Sequence, residues 1–328
     1  MTVLVTGGAG YIGSHMVLAL LDRGEDVVIL DNLSTGIEDL VPAGANLVIG
    51  DVGDAVALGH ILGKNNVDAV IHFAGSVVVP ESVGNPLEYY RNNTVATRNL
   101  VAACVDHGVN RFVFSSTAAV YGAPTEVPVR ETAPTIPINP YGRSKLMTEW
   151  ILADVAQAHD FHYAALRYFN VAGADPKGRS GQSTPRATHL IKRACQVALR
   201  QGDRLEIFGT NLATADGTGV RDYIHVSDLI EAHLIALRLL GTGRKSLCAN
   251  VGYGRGFSVL KVIDTVERAT GRKLKVVNSA PREGDPPAVI SDPSLIRGLG
   301  WRPRYDDLDV IVRSALEWER NLEPVSYR

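Results

Sequence analysis

Apolar runs alternate with amphipathic stretches along the first half of the chain. The runs are rich in Val, Ile, Leu and Phe, which is typical of strands buried on both faces of a parallel sheet. They cover residues 3–5, 27–30, 46–50, 68–73, 111–115 and 162–167. Helical spacing of apolar positions is found over residues 15–24, 55–63, 85–107 and 139–159. This alternation predicts the α/β class, with a doubly wound parallel sheet.

A glycine-rich turn follows the first apolar run and precedes the first predicted helix. Gly7 permits a tight turn, Gly10 lets the backbone approach a pyrophosphate, and Gly13 lets the helix pack closely on the strand. The second apolar run ends at Asp31, which would accept hydrogen bonds from an adenosine ribose. This order of elements predicts a dinucleotide-binding βαβ unit. An acid at this position, with no arginine in the following NLSTG, favours NAD over NADP.

The pattern changes after about residue 170. Residues 171–189 are polar and rich in glycine, and mixed elements follow, including helices predicted over 189–202 and 307–322. A long loop of this kind is more often functional or mobile than idle. We therefore expect a Rossmann (NAD-binding) domain and a second, smaller mixed α/β domain for the substrate. The first comprises residues 1–170, joined by about 222–252, and the second comprises residues 171–221 and 253–328.

Composition and charge exclude several function classes. The formal net charge of −2 gives no electrostatic basis for binding nucleic acid or an anionic membrane surface. No apolar run approaches the roughly 18 residues that a membrane span requires. The three cysteines lack the paired spacing of a metal site or a disulfide framework, so no metal is expected. Since the glycine turn begins close to the first residue, no cleavable signal peptide is expected, and the predicted location is cytoplasmic.

The sequence YGRSK places Tyr141 and Lys145 four residues apart, on one face of a predicted helix. A tyrosine with a pKa near 10 is a poor base at neutral pH. A nearby lysine ammonium, helped by a positive nicotinamide, would lower that pKa and make the tyrosine a usable proton acceptor. The pair therefore predicts a catalytic base and its cationic partner. Asn139 and Pro140 would fix the start of the helix.

Three hydroxyl residues, Ser115, Ser116 and Thr117, end the fifth apolar run. A hydroxyl at the carboxyl end of a parallel strand can hydrogen-bond a substrate alcohol and help to pass its proton to Tyr141. We select Thr117 as the chemical hydroxyl, whereas the other two could simply cap the strand end.

Motifs along almost the whole chain resemble those of the UDP-glucose 4-epimerase family, within the extended short-chain dehydrogenases/reductases. They include TGGAGYIGSH, SSTAAVYG, NPYGRSK, RYFNVAGADP and PREGDP. The resemblance implies interconversion of UDP-galactose and UDP-glucose through a transient 4-keto sugar, with tightly bound NAD. It also implies a role in galactose metabolism and a homodimer.

The resemblance assigns roles to individual residues. Tyr141, Lys145 and Thr117 would be catalytic. The implied cofactor contacts are Gly7, Gly10, Tyr11, Ile12, Gly13, Asp31, Asn32, Ser34, Asp51, Val52, Phe73, Ala74, Gly75, Asn92, Tyr141, Lys145 and Phe169. The implied substrate contacts are Thr117, Asn170, His189, Phe208, Arg221, Tyr223, Arg282, Asp285 and Val289. Two arginines suit a diphosphate through forked, charge-assisted hydrogen bonds, and an aspartate suits ribose hydroxyls.

The chain departs from the family pattern at three positions. FAGSVVV lacks a lysine that many relatives carry, so one contact to a cofactor phosphate is expected to be absent. His189 replaces an asparagine, and it is either a substrate ligand or a loop residue. Val289 replaces a bulky tyrosine beside the sugar. Because valine leaves room for an N-acetyl group, UDP-N-acetylglucosamine is an expected secondary substrate.

Another NAD-dependent nucleotide-sugar epimerase of the same fold is one alternative at the level of the sequence, and three others differ in the reaction. A nucleotide-sugar 4,6-dehydratase of the same fold would need an acid and a base after the hydroxyl, where this chain has Ala118 and Ala119. A simple dehydrogenase would release reduced cofactor. A non-catalytic NAD-binding protein is disfavoured by the presence of Tyr141, Lys145 and Thr117.

Overall fold

A computed structural model describes residues 1–184, 187–199, 204–243, 245–282 and 285–322 of the chain. Its central layer is a sheet of seven parallel strands in the order β3-β2-β1-β4-β5-β6-β11. These strands are β1 Thr2–Thr6, β2 Asp26–Asp31, β3 Asn46–Ile49, β4 Ala69–His72, β5 Arg111–Thr117, β6 His162–Tyr168 and β11 Leu247–Val251. The predicted fold class is confirmed. The strand order reverses between β1 and β4, where ligands bind in such sheets.

Helices cover both faces of this sheet. On one face Leu4, Phe112 and Phe114 pack with Leu58 and Leu152 from the covering helices, and on the other face α1 and α8 cover the sheet. The helices of this region are α1 Tyr11–Leu21, α2 Ala55–Asn65, α3 Val79–Gly84, α4 Pro86–Tyr90, α5 Ala96–Asp106, α6 Pro140–Ala158 and α8 Val226–Gly241. Burial on both faces explains why the strands are apolar runs rather than alternating patterns.

The single helix predicted over residues 85–107 is wrong in detail. The chain forms α4, then a π-helical turn over Arg91–Val95, and then α5. Inside the turn, Asn93 Oδ1 accepts from Ser76 N at 2.8 Å and Asn93 Nδ2 donates to Ser76 O at 3.0 Å. This long-range pairing holds the turn in place, and it leaves no periodic signal in the sequence. The short helix α3, with Pro80 in its first turn, was not predicted either.

Short sheets and helices occupy the remainder of the described chain. The small sheets are β7 with β10, β8 with β13, and β12-β9-β14. Their strands are β7 Asn170–Ala172, β8 Leu205–Phe208, β9 Val220–Arg221, β10 Tyr223–His225, β12 Phe257–Ser258, β13 Val276–Ser279 and β14 Ala288–Val289. The helices are α7 Leu190–Ala198, α9 Val259–Thr270, α10 Ser294–Gly298 and α11 Leu308–Asn321.

Parts of several predictions fall outside the described residues. They are residues 185–186 of the polar loop, residues 200–202 of the helix predicted over 189–202, residue 244 of the predicted NAD-binding domain, residues 283–284 of the PREGDP motif, and residues 203 and 323–328 of the second predicted domain. Within the described ranges, no helix is both long enough and apolar enough to span a membrane.

Candidate active site

The turn between β1 and α1 leaves space that only glycine permits. Gly7 has a φ of +70°, and a Cβ there would lie 2.6 Å from Ala74 N. A Cβ on Gly13 would lie 2.1 Å from Gly7 O. Gly10 is the N-cap of α1 and makes no side-chain cap hydrogen bond. Backbone N–H groups of the first helical turn can therefore receive an anionic ligand, and the turn fits a dinucleotide pyrophosphate.

Two carboxylates lie where β2 and β3 end. Asp31 accepts from Ala9 N and Leu33 N, both at 2.9 Å, so backbone donors fix its orientation. Asn32 Nδ2 donates to the neighbouring Asp51 at 3.2 Å. A carboxylate has about four acceptor sites, so Asp31 retains capacity for ribose hydroxyls. This arrangement fits the ribose contact expected of Asp31.

The base predicted at Tyr141 lies in the first turn of α6. Asn139 is the N-cap, and its Oδ1 accepts from Gly142 N at 2.8 Å. Tyr141 is buried, and its ring meets Tyr89 edge-on with the centroids 6.5 Å apart. Burial raises the pKa of the Tyr141 hydroxyl, and the hydrogen bond with the Thr117 side chain opposes that shift. The lowering of the Tyr141 pKa by Lys145 together with a positive nicotinamide stays a prediction.

Lys145 is a buried cation one turn further along α6. Its Nζ donates to Ser115 O at 3.1 Å and lies 5.0 Å from the centroid of the Phe114 ring. Burial lowers the pKa of the ammonium to about 8. A Cβ on Gly75 would lie 3.6 Å from Nζ, so the loop after β4 borders the lysine. An ammonium has three donors, which leaves capacity for the hydroxyls of a cofactor ribose.

The other expected cofactor residues lie along the same edge of the sheet. Ile12 is the second residue of α1, Ser34 and Val52 follow β2 and β3, Ala74 follows β4, and Asn92 lies in the π-helical turn. Phe73 packs against the core, with its ring centroid 4.9 Å from that of His233. Because parallel strands place their carboxyl ends together, the residues that follow β2, β3 and β4 lie at one edge of the sheet.

The charged residues expected to bind the diphosphate and ribose are paired with protein groups. Arg221 Nη2 donates to Asp285 Oδ1 at 2.5 Å. The Arg282 guanidinium carbon lies 4.1 Å from the centroid of the Phe208 ring. Both arginines are thus pre-oriented, and a diphosphate would compete with Asp285 for Arg221.

A cavity is lined by Asn170, Tyr223 and His189, together with Tyr11, the first residue of α1. Asn170 and Tyr223 are paired opposite each other in β7 and β10. His189 is the exposed N-cap of α7, and its Nδ1 lies 3.3 Å from Gln182 Nε2. His189 therefore lies beside two predicted substrate residues.

Val289 lies in a small apolar cluster near the chemical hydroxyl. It packs with Phe169 and with Ala118, the residue after Thr117. In β14 it is also the register partner of Arg221 in β9. Val289 therefore lies between the strand that carries Arg221 and the cluster that contains Ala118.

Two interactions at the site were missed at the level of the sequence. Tyr168 forms a short hydrogen bond with Ser115. Glu149 forms a buried ion pair with Arg167, with a shortest distance of 2.6 Å. The only signal was the spacing of Glu149, which lies four residues after Lys145 and therefore on the same helical face. Among the described residues, no group of three or more His, Cys, Asp or Glu side chains could hold a metal ion.

The parallel sheet, the glycine turn with its acid, and the paired tyrosine and lysine define a Rossmann-type enzyme of nicotinamide dinucleotides. Residues 3–252 match the NAD dependent epimerase/dehydratase family, and the chain belongs to that family. Membership confirms the predicted resemblance, the enzyme class and the use of NAD.

Within this family, the chain is similar to proteins that are named as UDP-sugar 4-epimerases. The UDP-glucose 4-epimerase of Azospirillum brasilense is 57% identical over 322 residues, covering 98% of this chain and 92% of that protein. The structure of UDP-glucose 4-epimerase from Brucella ovis in complex with NAD has a TM-score of 0.93 at 45% identity, covering 96% and 97% of the two chains. The UDP-Glc/GlcNAc 4-epimerase of Campylobacter jejuni has a TM-score of 0.85 at 47% identity, covering 98% and 99%.

Proposed function

We propose that the chain is a UDP-glucose 4-epimerase, which interconverts UDP-galactose and UDP-glucose through a transient 4-keto sugar. The observation that carries the proposal is the buried Tyr141, hydrogen-bonded by Thr117 and one helical turn from a buried Lys145. Near-full-length similarity to named UDP-glucose 4-epimerases supports the choice of substrate. Ala118 and Ala119 follow Thr117, so the acid and base required by the dehydratase alternative are absent there.

In this proposal each group has one role. Tyr141 accepts the proton of the 4-hydroxyl and returns it, and Thr117 hydrogen-bonds the same hydroxyl. Lys145 holds the cofactor ribose and stabilises the tyrosine anion. NAD, when bound by the glycine turn and Asp31, supplies the hydride acceptor and donor. The sugar turns between the two proton transfers, so the product differs only at carbon 4.

The nucleotide end of the substrate is assigned to the second half of the chain. We assign the diphosphate to Arg221 and Arg282, because guanidinium groups bind phosphate oxygens bidentately. Once its ion pair with Arg221 has opened, Asp285 would bind the ribose of the substrate nucleotide.

We further propose the two-domain division expected from the sequence: 1–170 with about 222–252 for NAD, and 171–221 with 253–328 for the nucleotide sugar. It is supported by β11, which extends the main sheet, and by α8, which covers one sheet face.

The proposal is tested by incubating the purified protein with UDP-galactose and separating the sugar products. We expect an equilibrium mixture of UDP-galactose and UDP-glucose without added NAD, and NAD released on denaturation. Stoichiometric release of NADH would instead support a simple dehydrogenase. A dehydrated keto sugar as the product would support the dehydratase.

A second substrate, UDP-N-acetylglucosamine, is proposed from Val289. Val289 lies in the cluster beside Phe169. Because valine is smaller than the tyrosine expected at this position, we infer room for an N-acetyl group, and the valine methyl groups suit the acetyl methyl. The similarity to the UDP-Glc/GlcNAc 4-epimerase of Campylobacter jejuni supports this assignment. Val289→Tyr is expected to retain turnover of UDP-galactose and to lose turnover of the N-acetyl sugar. If the wild type does not convert UDP-N-acetylglucosamine, the assignment of Val289 is wrong.

We propose a homodimer formed through the outer faces of α5 and α6. Val95, which directly precedes α5, and Met147 and Trp150 of α6 are exposed apolar side chains there, and Trp150 is 57% exposed. Light scattering of the wild type and of Trp150→Glu tests this, with a dimer expected for the first and a monomer for the second.

A cytoplasmic location is proposed because all three cysteines are free thiols, as in a reducing compartment.

A further inference from the structure

Successive residues of β5 each meet a different residue of α6. The meeting pairs are Ser115 with Lys145, Ser116 with Glu149, and Thr117 with Tyr141. The three helical partners are spaced four residues apart, so they lie along one face of α6. The first and third pairs contain the proposed catalytic residues. Ser116 and Glu149 have no part in the proposed chemistry, so their hydrogen bond serves another role.

Glu149 ties α6 to two strands at once. Ser116 Oγ donates to Glu149 Oε1 at 2.5 Å, which joins the helix to β5. Arg167 of β6 donates to Oε1 at 3.0 Å and to Oε2 at 2.6 Å. Arg167 also donates to the Tyr121 hydroxyl at 3.0 Å. The side chains of Glu149 and Arg167 are 8% and 9% exposed, so the helix is anchored through charge-assisted hydrogen bonds inside the protein.

We propose that Glu149 is a positioning residue, which holds α6 in register with β5 so that the Tyr141 hydroxyl meets Thr117. The inference rests on the proposed epimerase function. The hydrogen bond from Thr117 opposes the effect of burial on the Tyr141 pKa. A slip of α6 along β5 would lengthen that bond, misplace the proton acceptor and raise its pKa. A displacement of about 1 Å can cost roughly 100-fold in rate.

The test is Ser116→Ala, because Glu149→Ala would leave Arg167 buried without its counter-charge and is expected to unfold the protein. Ser116→Ala removes one link and keeps the ion pair. We expect kcat to fall about tenfold with KM changed less than about twofold. Among the described residues, Tyr89 and Tyr168 are the ionisable groups that interact with Tyr141, and Lys145 lies one helical turn away; none of them is altered. The acid limb of the kcat profile should therefore move to higher pH.

Two further variants separate positioning from stability. Ser116→Thr keeps the hydroxyl donor and is expected to restore kcat to within about threefold of the wild type. Tyr253→Phe is the matched control, since it removes another buried hydroxyl that donates to a carboxylate, Asp228, at 2.6 Å. Because the same hydroxyl also accepts from His225 N at 3.0 Å, Tyr253→Phe should lower the Tm at least as much, without moving the kcat profile.

The outcomes distinguish the two proposals. If the wild type does not epimerise UDP-galactose, the proposed function fails. If the wild type is active and Ser116→Ala lowers the Tm while kcat and its pH profile match those of Tyr253→Phe, Glu149 is merely structural. A fall in kcat with an upward shift of the acid limb, reversed by Ser116→Thr, supports the positioning role.

Discussion

Lys145 is expected to reduce the stability of the protein without cofactor, so Lys145→Met should raise it. The lysine pKa lies at about 8 because of burial, against an ordinary value of 10.5. Each pKa unit corresponds to about 1.4 kcal/mol, so the buried charge costs about 3 kcal/mol at pH 7. Loss of the hydrogen bond to Ser115 O costs about 1 kcal/mol. The net gain of about 2 kcal/mol corresponds to a rise in Tm of about 3 °C for a chain of this length.

The pH dependence identifies the cause. Because the native pKa of Lys145 is lower than the unfolded pKa, the unfolded chain binds more protons between about pH 8 and pH 10.5. The stability of the wild type therefore rises with pH across this window, relative to the variant. The advantage of Lys145→Met should be full at pH 7 and should have vanished near pH 9.5.

Thermal unfolding of nucleotide-free protein, followed by calorimetry at both pH values, provides the measurement. Lys64→Met is the control, since it makes the same change at an exposed position of α2. With NAD bound, the wild type should be more stable than Lys145→Met, because the ammonium then has ribose hydroxyls to bind. A lower Tm for Lys145→Met at pH 7, or a difference that does not change with pH, would refute the reasoning.

Two other substitutions test the groups around the proposed chemistry. Tyr141→Phe should lower kcat by roughly 10²- to 10⁴-fold, because it removes the general base. Its ring still packs on Tyr89, so calorimetry should show unchanged binding of UDP, and activity within a few-fold of wild type would place the base elsewhere. Asp31→Ala should weaken binding of NAD by about tenfold or more and reduce the preference over NADP, because the charged acceptor for the ribose is lost. Nucleotide released from denatured protein measures this, and an unchanged NAD content would contradict the role of Asp31.

The elements of the main sheet were predictable because their signals are local. Each of the six predicted strands forms within two residues of its expected bounds. The catalytic pair was equally local, since Tyr141 and Lys145 are related by the repeat of a single helix. The π-helical turn and its anchor depend instead on Asn93 meeting Ser76, 17 residues earlier. No periodicity records such a pairing, so one continuous helix was the natural expectation.

Buried charges were harder to predict than the chemistry they surround. Lys192 donates to Glu319 at 2.5 Å across 127 residues of sequence, and both side chains are buried. Glu149 pairs with Arg167 from a different element, although its spacing from Lys145 could have been noticed. A charged residue in a sequence is most often solvated. Only the packing of helices and strands shows which charged residues are buried. Substitution of one of these residues leaves its partner buried without a counter-charge.

The two ends of the candidate site are held differently, and the difference suits epimerisation. Tyr141 and Thr117 belong to long elements of the main sheet and are fixed by buried contacts. Arg221 and Asp285, to which we assign the diphosphate and the ribose, lie on a two-residue strand and a loop and form an ion pair with each other. In the proposed function the nucleotide therefore contributes the same binding free energy whichever face of the sugar is turned towards Tyr141 and Thr117. The chemical end consists mainly of hydroxyl groups fixed in position, which can exchange a proton with either face without releasing the nucleotide.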